Sequence, residues 1–520
     1  MFGIILILMS FYRLFATFDD RPHPVHIWRN ADCLSLTLNY YDDGMVFSEP
    51  AIHNYISDNE SSGKTAGEFP GWYYLMAMIW KVFGVSEGLY RFMVGALFVL
   101  SLLILQRALQ KVLGVFWSIA IATWLFCQPA LIYYGFAFLS NVPALSFALI
   151  ATAYFIRYAL KQKQRYLIWT AVFFALGGLL KVTALLLFFT IGSLLVLEWL
   201  GVKLKEGGRL FPKPLKSLGI LALTFIPTIA WYAWAAWYND IHKGKYTFNG
   251  VWPLWEADAD LIERTLRGIV DFVGWQIMSP VNWFLAIAAT FIPLIFAKRI
   301  PRFLWITPII LFLGCLLYSV LWFQAWKDHD YYFLNLYVWP ALSITMLIAL
   351  VNHLGSTQLQ HWVKGAFVLL LIWSAWYAQE HLQLKHWPSY EKDYFTASQK
   401  VEDDLKFYFW DHERHERGLF YIEPELERVG VSEDDLVISI PDASFSITLY
   451  LMDRKGWTNF NDRNRTPEDV YKFIGKGANY LVVNEPEYET KFPWVKEFMA
   501  YPVLHHESIR VFDLRPFRKQ

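Results

Sequence analysis

Cysteine is nearly absent from these 520 residues: Cys33, Cys127 and Cys315 are the only three. The last two fall inside apolar runs, which excludes a disulfide framework. Net charge is absent too. Lys plus Arg and Asp plus Glu each number 46, so no global field selects nucleic acid or a polyanionic partner. The region beyond Trp387 has no glycine-rich phosphate loop and no Cys/His run with metal-ligand spacing. No convincing repeat relates the two halves, although such repeats are common in transporters. The first apolar stretch, Phe2 to Phe18, lacks the basic start and A-x-A cleavage pattern of a signal peptide and is expected to remain as a first span.

Apolar residues are what the chain has in excess. Hydrophobic residues make up 56% and the mean hydropathy is +0.29, too apolar for a soluble chain of this length. Crossing ~30 Å of hydrocarbon takes roughly 20 mostly apolar residues. Runs of that kind lie near 2–18, 88–106, 114–135, 142–160, 166–181, 183–200, 217–237, 281–297, 303–323, 333–351 and 364–380. Basic residues near span ends favour the cytoplasmic side. Arg107 and Lys111, then Arg157 to Arg165, then Lys203 to Lys216, then Lys298 to Arg302 fall on alternate loops, which are therefore expected inside. The loop 19–87, the turn Tyr133 to Asn141, the turn at Lys181, the loop 238–280, the turn Gln324 to Tyr332 and everything after residue 381 are expected outside.

Beyond Trp387 the composition turns charged and mixed. Leu436 to Pro441, Tyr480 to Asn484 and Ile509 to Leu514 read as strands, with helices at Thr466 to Lys476 and Pro493 to Met499. The expected fold is thus mainly α: a polytopic membrane helix bundle of about 11 spans with a large first outer loop (residues 1–387). A small extracytoplasmic α/β domain follows (388–520). His412, His415, His505 and His506 are expected at its surface.

Polar chemistry concentrates in the loop 19–87. Ala31 to Tyr41 has the pattern of a helix at the membrane interface, with Leu34, Leu38 and Tyr41 on one face. Arg29 and Asp32 are three apart and share a face, so Asp32 could take a proton from an acceptor hydroxyl while Arg29 binds phosphate. An ordinary i,i+3 ion pair is the alternative. Lys181 stands in the middle of about 35 apolar residues, where a cation is costly and by default functional; snorkelling to the outer interface is its alternative. His329, Asp330, Tyr331 and Tyr332 offer rings and hydroxyls to a sugar or phosphate, or form an interfacial aromatic belt.

Several motifs together carry a resemblance: Trp28-Arg29-Asn30-Ala31-Asp32 through Gly44, Gly67-Glu68-Phe69-Pro70 with Tyr73-Tyr74, Leu180-Lys181-Val182-Thr183, and His329-Asp330-Tyr331-Tyr332 with Pro340. The chain resembles the glycosyltransferase-C superfamily, nearest its protein-mannosyltransferase and aminoarabinose-transferase branch. That resemblance implies a membrane glycosyltransferase moving a sugar from a polyprenyl-phosphate donor, with inversion, to a glycan, lipid or protein acceptor on the outer face of the inner (plasma) membrane. The N-terminus would be cytoplasmic. The alternative is a transporter or flippase of lipid-linked saccharides. By the same resemblance Lys181 approaches the lipid-linked phosphate, Glu68 binds substrate, and Glu68 with His242 holds a divalent cation. The family often has an Asp-Glu pair near Arg29 and Asn30, so Asp19 and Asp20 compete with Asp32 for the acid. A second acid of relatives appears here as Ser140-Asn141; Asn141 can hydrogen-bond a sugar but cannot act as a base.

Overall fold

The computed structural model describes residues 1–244, 250–386 and 399–519. The expected domain boundary at 387/388, and part of the loop 238–280, lie outside the described residues. Helices occupy every segment expected to span, but the expected count of eleven spans is not confirmed. Among the described residues, six helices are long and apolar enough to cross a membrane, or seven if Ala259–Ile277 and Pro280–Ile295, bent by 93°, form one span. Phe2–Phe11 and Gln164–Leu180 are apolar but short. Glu87–Phe126 runs for 40 residues, which would reach ~60 Å if straight. It breaks at Gly114, whose φ of 82° is left-handed and suits glycine.

Three features set the outer loop in place. Arg91, buried inside Glu87–Phe126, donates to the carbonyl oxygens of Phe18, Asp20 and Arg21, so one cation satisfies three turn carbonyls where the chain leaves its first helix. The chain then enters the helix Ile27–Asp42 through His26, held in the left-handed region at φ 56°. Instead of lying exposed at the interface, this helix is buried on nearly all sides, packed between Gly71–Phe83 and Ile447–Met452. Finally, residues 51–64 fold back through the antiparallel bridges Ala51–Lys64 and Ser57–Ser62.

The C-terminal residues form a five-stranded sheet: β1 (Val437–Ile440), β2 (Gly456–Trp457), β3 (Tyr480–Val483), β4 (Pro502–His506) and β5 (Ile509–Asp513), in the order β2-β1-β3-β5-β4. β2, β1 and β3 are parallel, and β5 and β4 are antiparallel. The expected helices appear as Pro467–Gly475, N-capped by Thr466, and the 3-10 turn Pro493–Met499. β1 and β3 are buried at every position, as mid-sheet strands require. His412 corrects the expectation of a surface histidine: it is 2% exposed and lies 3.1 Å from Glu416. The sheet docks on the outer loop, where the Tyr55 N–H donates to the Gly456 carbonyl at 2.7 Å and the Gly456 N–H to that of His53 at 3.1 Å.

Candidate active site

Glu68 is the hub. Its Oε1 accepts from the Arg29 guanidinium, the Tyr73 hydroxyl and, at 2.8 Å, the Ser140 hydroxyl. Its Oε2 lies 2.5 Å from Nζ of Lys181. Four separate segments therefore converge on one carboxylate. Burial alone would raise its pKa, but Arg29 and Lys181 outweigh that and hold it down at about 2. Two cations against one carboxylate leave a formal charge of +1, a surplus suited to an anionic ligand.

Local backbone explains how Lys181 gets there. The helix Gln164–Leu180 stops as Lys181 turns extended (φ −154°, ψ 121°), and a 3-10 turn, Val182–Leu185, starts the return. The lysine is thus the break in the hairpin, and its side chain reaches Glu68 instead of snorkelling outward.

Asp32 is differently placed. The ion pair its spacing with Arg29 allows does not form, because Arg29 turns to Glu68. Asp32 is 1% exposed, and neither carboxylate oxygen accepts a hydrogen bond among the described residues. Burial lifts its pKa well above the ordinary carboxylate range, against the opposing pull of Arg29. It lines a small pocket with Arg29, Cys33, Glu68 and Tyr73.

A cavity of about 1100 Å³ opens on the other side of Arg29. His26, Trp28, Arg29, His329, Tyr331 and Tyr332 form one wall. Arg264, Arg267 and Lys327 stand on another, and Tyr408, from the helix Gln399–Asp411, closes it from the C-terminal side. His329 hydrogen-bonds the Ala325 carbonyl at 3.1 Å, and burial together with neighbouring His26 pushes its pKa down to about 4, so it is neutral at pH 7. Asn141 donates to the Tyr331 carbonyl at 3.2 Å, which ties the span-start Ser140-Asn141 to this wall.

Asp330 sits behind the wall rather than on it. It is 1% exposed, as is the Lys385 side chain whose Nζ lies 2.8 Å away. Tyr134 donates to its Oδ1, and Nε2 of His26 is 3.3 Å from the same oxygen. Lys385 was missed by sequence reasoning because it follows the polar stretch Gln379-Glu380-His381 at the end of the apolar run 364–380, where Lys181 stands inside one. The importance of His26 was missed because nothing local marks its partner, 304 positions along the chain by number.

The cation-binding pair is not assembled. Both oxygens of Glu68 are taken by cations and hydroxyls, while Nδ1 of His242 lies 2.9 and 3.1 Å from the two oxygens of Asp58. These residues do not fit a metal as arranged. Among the described residues, Glu423, Glu433 and Asp453 are the only three acidic, His or Cys ligands close enough to share an ion, and none of them lines the cavity.

Residues 67–234 match the family model described as dolichyl-phosphate-mannose-protein mannosyltransferase, starting at the Gly67-Glu68-Phe69-Pro70 motif. No curated protein is significantly similar in sequence. In structure the chain is similar to ArnT from Cupriavidus metallidurans in its apo state, with 12% identity, 98% of each chain covered and a TM-score of 0.56. The same protein bound to undecaprenyl phosphate gives 12%, 98% of each chain and 0.58. Arabinofuranosyltransferase AftD from Mycobacteria matches at 11% identity over 98% of this chain and 40% of its own, with a TM-score of 0.50.

Proposed function

We propose that this chain, a multi-pass membrane protein with the glycosyltransferase-C fold, transfers a sugar from a polyprenyl-phosphate carrier to an acceptor on the outer face of the membrane. The observation that carries the proposal is the pairing of Arg29 and Lys181 on a single carboxylate beside a cavity of about 1100 Å³. A phosphodiester entering there meets Arg29 on the cavity wall, with Lys181 behind it on the same Glu68 carboxylate, and a leaving phosphate gains negative charge as the glycosidic bond breaks. Preorganised cations are most effective against charge that develops in the transition state. Glu68 acts as an organiser, leaving Tyr73 and Ser140 to hold it. His329, Tyr331 and Tyr332 supply the stacking and hydrogen-bonding wall for sugars, and Asn141 and Asp330 support that wall from behind. Soluble nucleotide sugars do not cross membranes, so an outward cavity requires a lipid-linked donor.

The test uses the full chain in lipid nanodiscs, with a polyprenyl-phosphate-sugar fraction as donor and membranes as acceptor source. Release of polyprenyl phosphate dependent on the protein is expected. No release above the protein-free level, together with no binding of undecaprenyl phosphate, would exclude the proposal.

A further inference from the structure

A single-displacement transfer needs a group to take the acceptor's proton, and Asp32 is ill placed for it: buried, off the large cavity and biased toward its protonated form. The large cavity has another candidate. His26 lies on its wall, three residues before Arg29 and at the start of the same helix. Nε2 of His26 faces the Asp330 carboxylate at 3.3 Å. Nδ1 makes no hydrogen bond among the described residues.

Asp330 is a fixed partner. Lys385 pairs with it at 2.8 Å and Tyr134 hydrogen-bonds it, all three deeply buried. A carboxylate facing Nε2 favours the tautomer that carries its proton there, which leaves the lone pair on Nδ1. This arrangement orients an imidazole as a base and stabilises the imidazolium that forms. His329, whose ring stacks on His26 at 5.6 Å, has no carboxylate in hydrogen-bonding contact among the described residues; its Nδ1 is on the Ala325 carbonyl.

We propose that His26 is the catalytic base of the transfer and Asp330 its positioning residue, an assignment that rests on the glycosyltransferase reading. The acceptor oxygen attacks the anomeric carbon of the donor sugar. The bond from that carbon to the phosphate oxygen breaks, and its electron pair leaves with the polyprenyl phosphate beside Arg29. The hydroxyl proton passes to Nδ1 of His26, and the imidazolium returns it to water through the cavity. His26 occupies a left-handed backbone position, φ 56°, which glycine and asparagine tolerate, so it can be changed without backbone strain.

His26→Gly should bind undecaprenyl phosphate as the wild type does yet lose about 10²- to 10⁴-fold in turnover. Added imidazole should restore part of that loss in proportion to its free-base concentration, an effect that a purely structural role would not give. Asp330→Asn should lower kcat with little change in donor KM. If His26→Gly does not accumulate, His26→Asn carries the same measurement, and a loss under about tenfold overturns the assignment. So does a His26→Gly variant that binds undecaprenyl phosphate normally but is not rescued, or one that turns over like the wild type while Asp32→Asn is inactive. A wild-type protein that neither binds undecaprenyl phosphate nor releases it from a donor removes the parent reading as well, which separates the two failures.

Discussion

Glu68 holds Arg29 and Lys181 at once, and this makes substitutions in the trio unequal. Lys181→Met leaves Glu68 with Arg29, Tyr73 and Ser140, so the protein should still fold, while transfer falls by about two orders of magnitude as one stabiliser of the developing phosphate charge is lost. Lys181→Arg should lie between Met and wild type. Glu68→Gln instead strands the buried Arg29 and the half-buried Lys181 beside each other and should destabilise by about 3 kcal/mol; a smaller loss of thermal stability than in Lys181→Met would contradict the hub. The pH dependence has a fixed sign. Because folding lowers the Glu68 pKa to about 2, its contribution is complete above the unfolded value near ~4.3 and is lost as pH falls from there through about 2. Thermal stability measured across that window should drop in the wild type and be flatter in Glu68→Gln. Legibility followed the same chemistry. Lys181 and Glu68 stood out as charges in apolar or motif-bearing surroundings, whereas the value of Asp330 depends on His26 and Lys385, whose approach only the folded chain creates.

Strands β1, β3 and β5 were readable from short, mostly apolar pieces: Val437–Ile440 and Tyr480–Val483 are buried throughout, and Ile509, Val511 and Phe512 carry the buried positions of β5. The hairpin 51–64 was not, since its polar residues earn their place through partners elsewhere: Asn54 on Thr458 at 2.8 Å, and Glu60 on Lys472 at 2.5 Å and Lys476 at 2.9 Å. Two kinds of contact hold this hairpin to the sheet, and their sizes differ. The Glu60 pairs are partly solvated, so Glu60→Ala should cost no more than about 1 kcal/mol per pair. Gly456 is backbone against backbone. Its φ is 152°, and a Cβ there would lie 1.9 Å from the Val437 carbonyl oxygen. Gly456→Ala must push β2 from β1 and from the hairpin, at about 1–3 kcal/mol or more. Limited proteolysis should therefore cut residues 51–64 faster in Gly456→Ala than in Glu60→Ala. Equal cleavage would mean that the ion pairs, not the strand contact, dock the two parts.

At the scale of the whole molecule, contacts sort the loops into two ends. Ala66 and Asn239 exchange hydrogen bonds at 2.8 and 2.6 Å, Ser140 and Lys181 reach Glu68, and Lys385 reaches Asp330. These are segments that the basic-residue pattern assigns outside. At the opposite end the basic loops meet, with Gln162 donating to the Arg209 carbonyl at 2.7 Å and the Phe303 N–H to that of Leu204 at 2.9 Å. Sequence charge and three-dimensional contact agree on which loops share an end, and the charge pattern then predicts which end faces out. Cysteine labelling tests this cleanly because Cys33, Cys127 and Cys315 are all buried, so the background should be silent. Ser61→Cys and Glu507→Cys, both at exposed positions, should react with a membrane-impermeant maleimide on intact cells. The equally exposed Lys111→Cys and Glu206→Cys should react only after the membrane is opened. The reverse pattern would turn the cavity toward the cytoplasm, where soluble nucleotide sugars are at hand and a lipid carrier has no chemical necessity. The cations on Glu68 would then need a different phosphate.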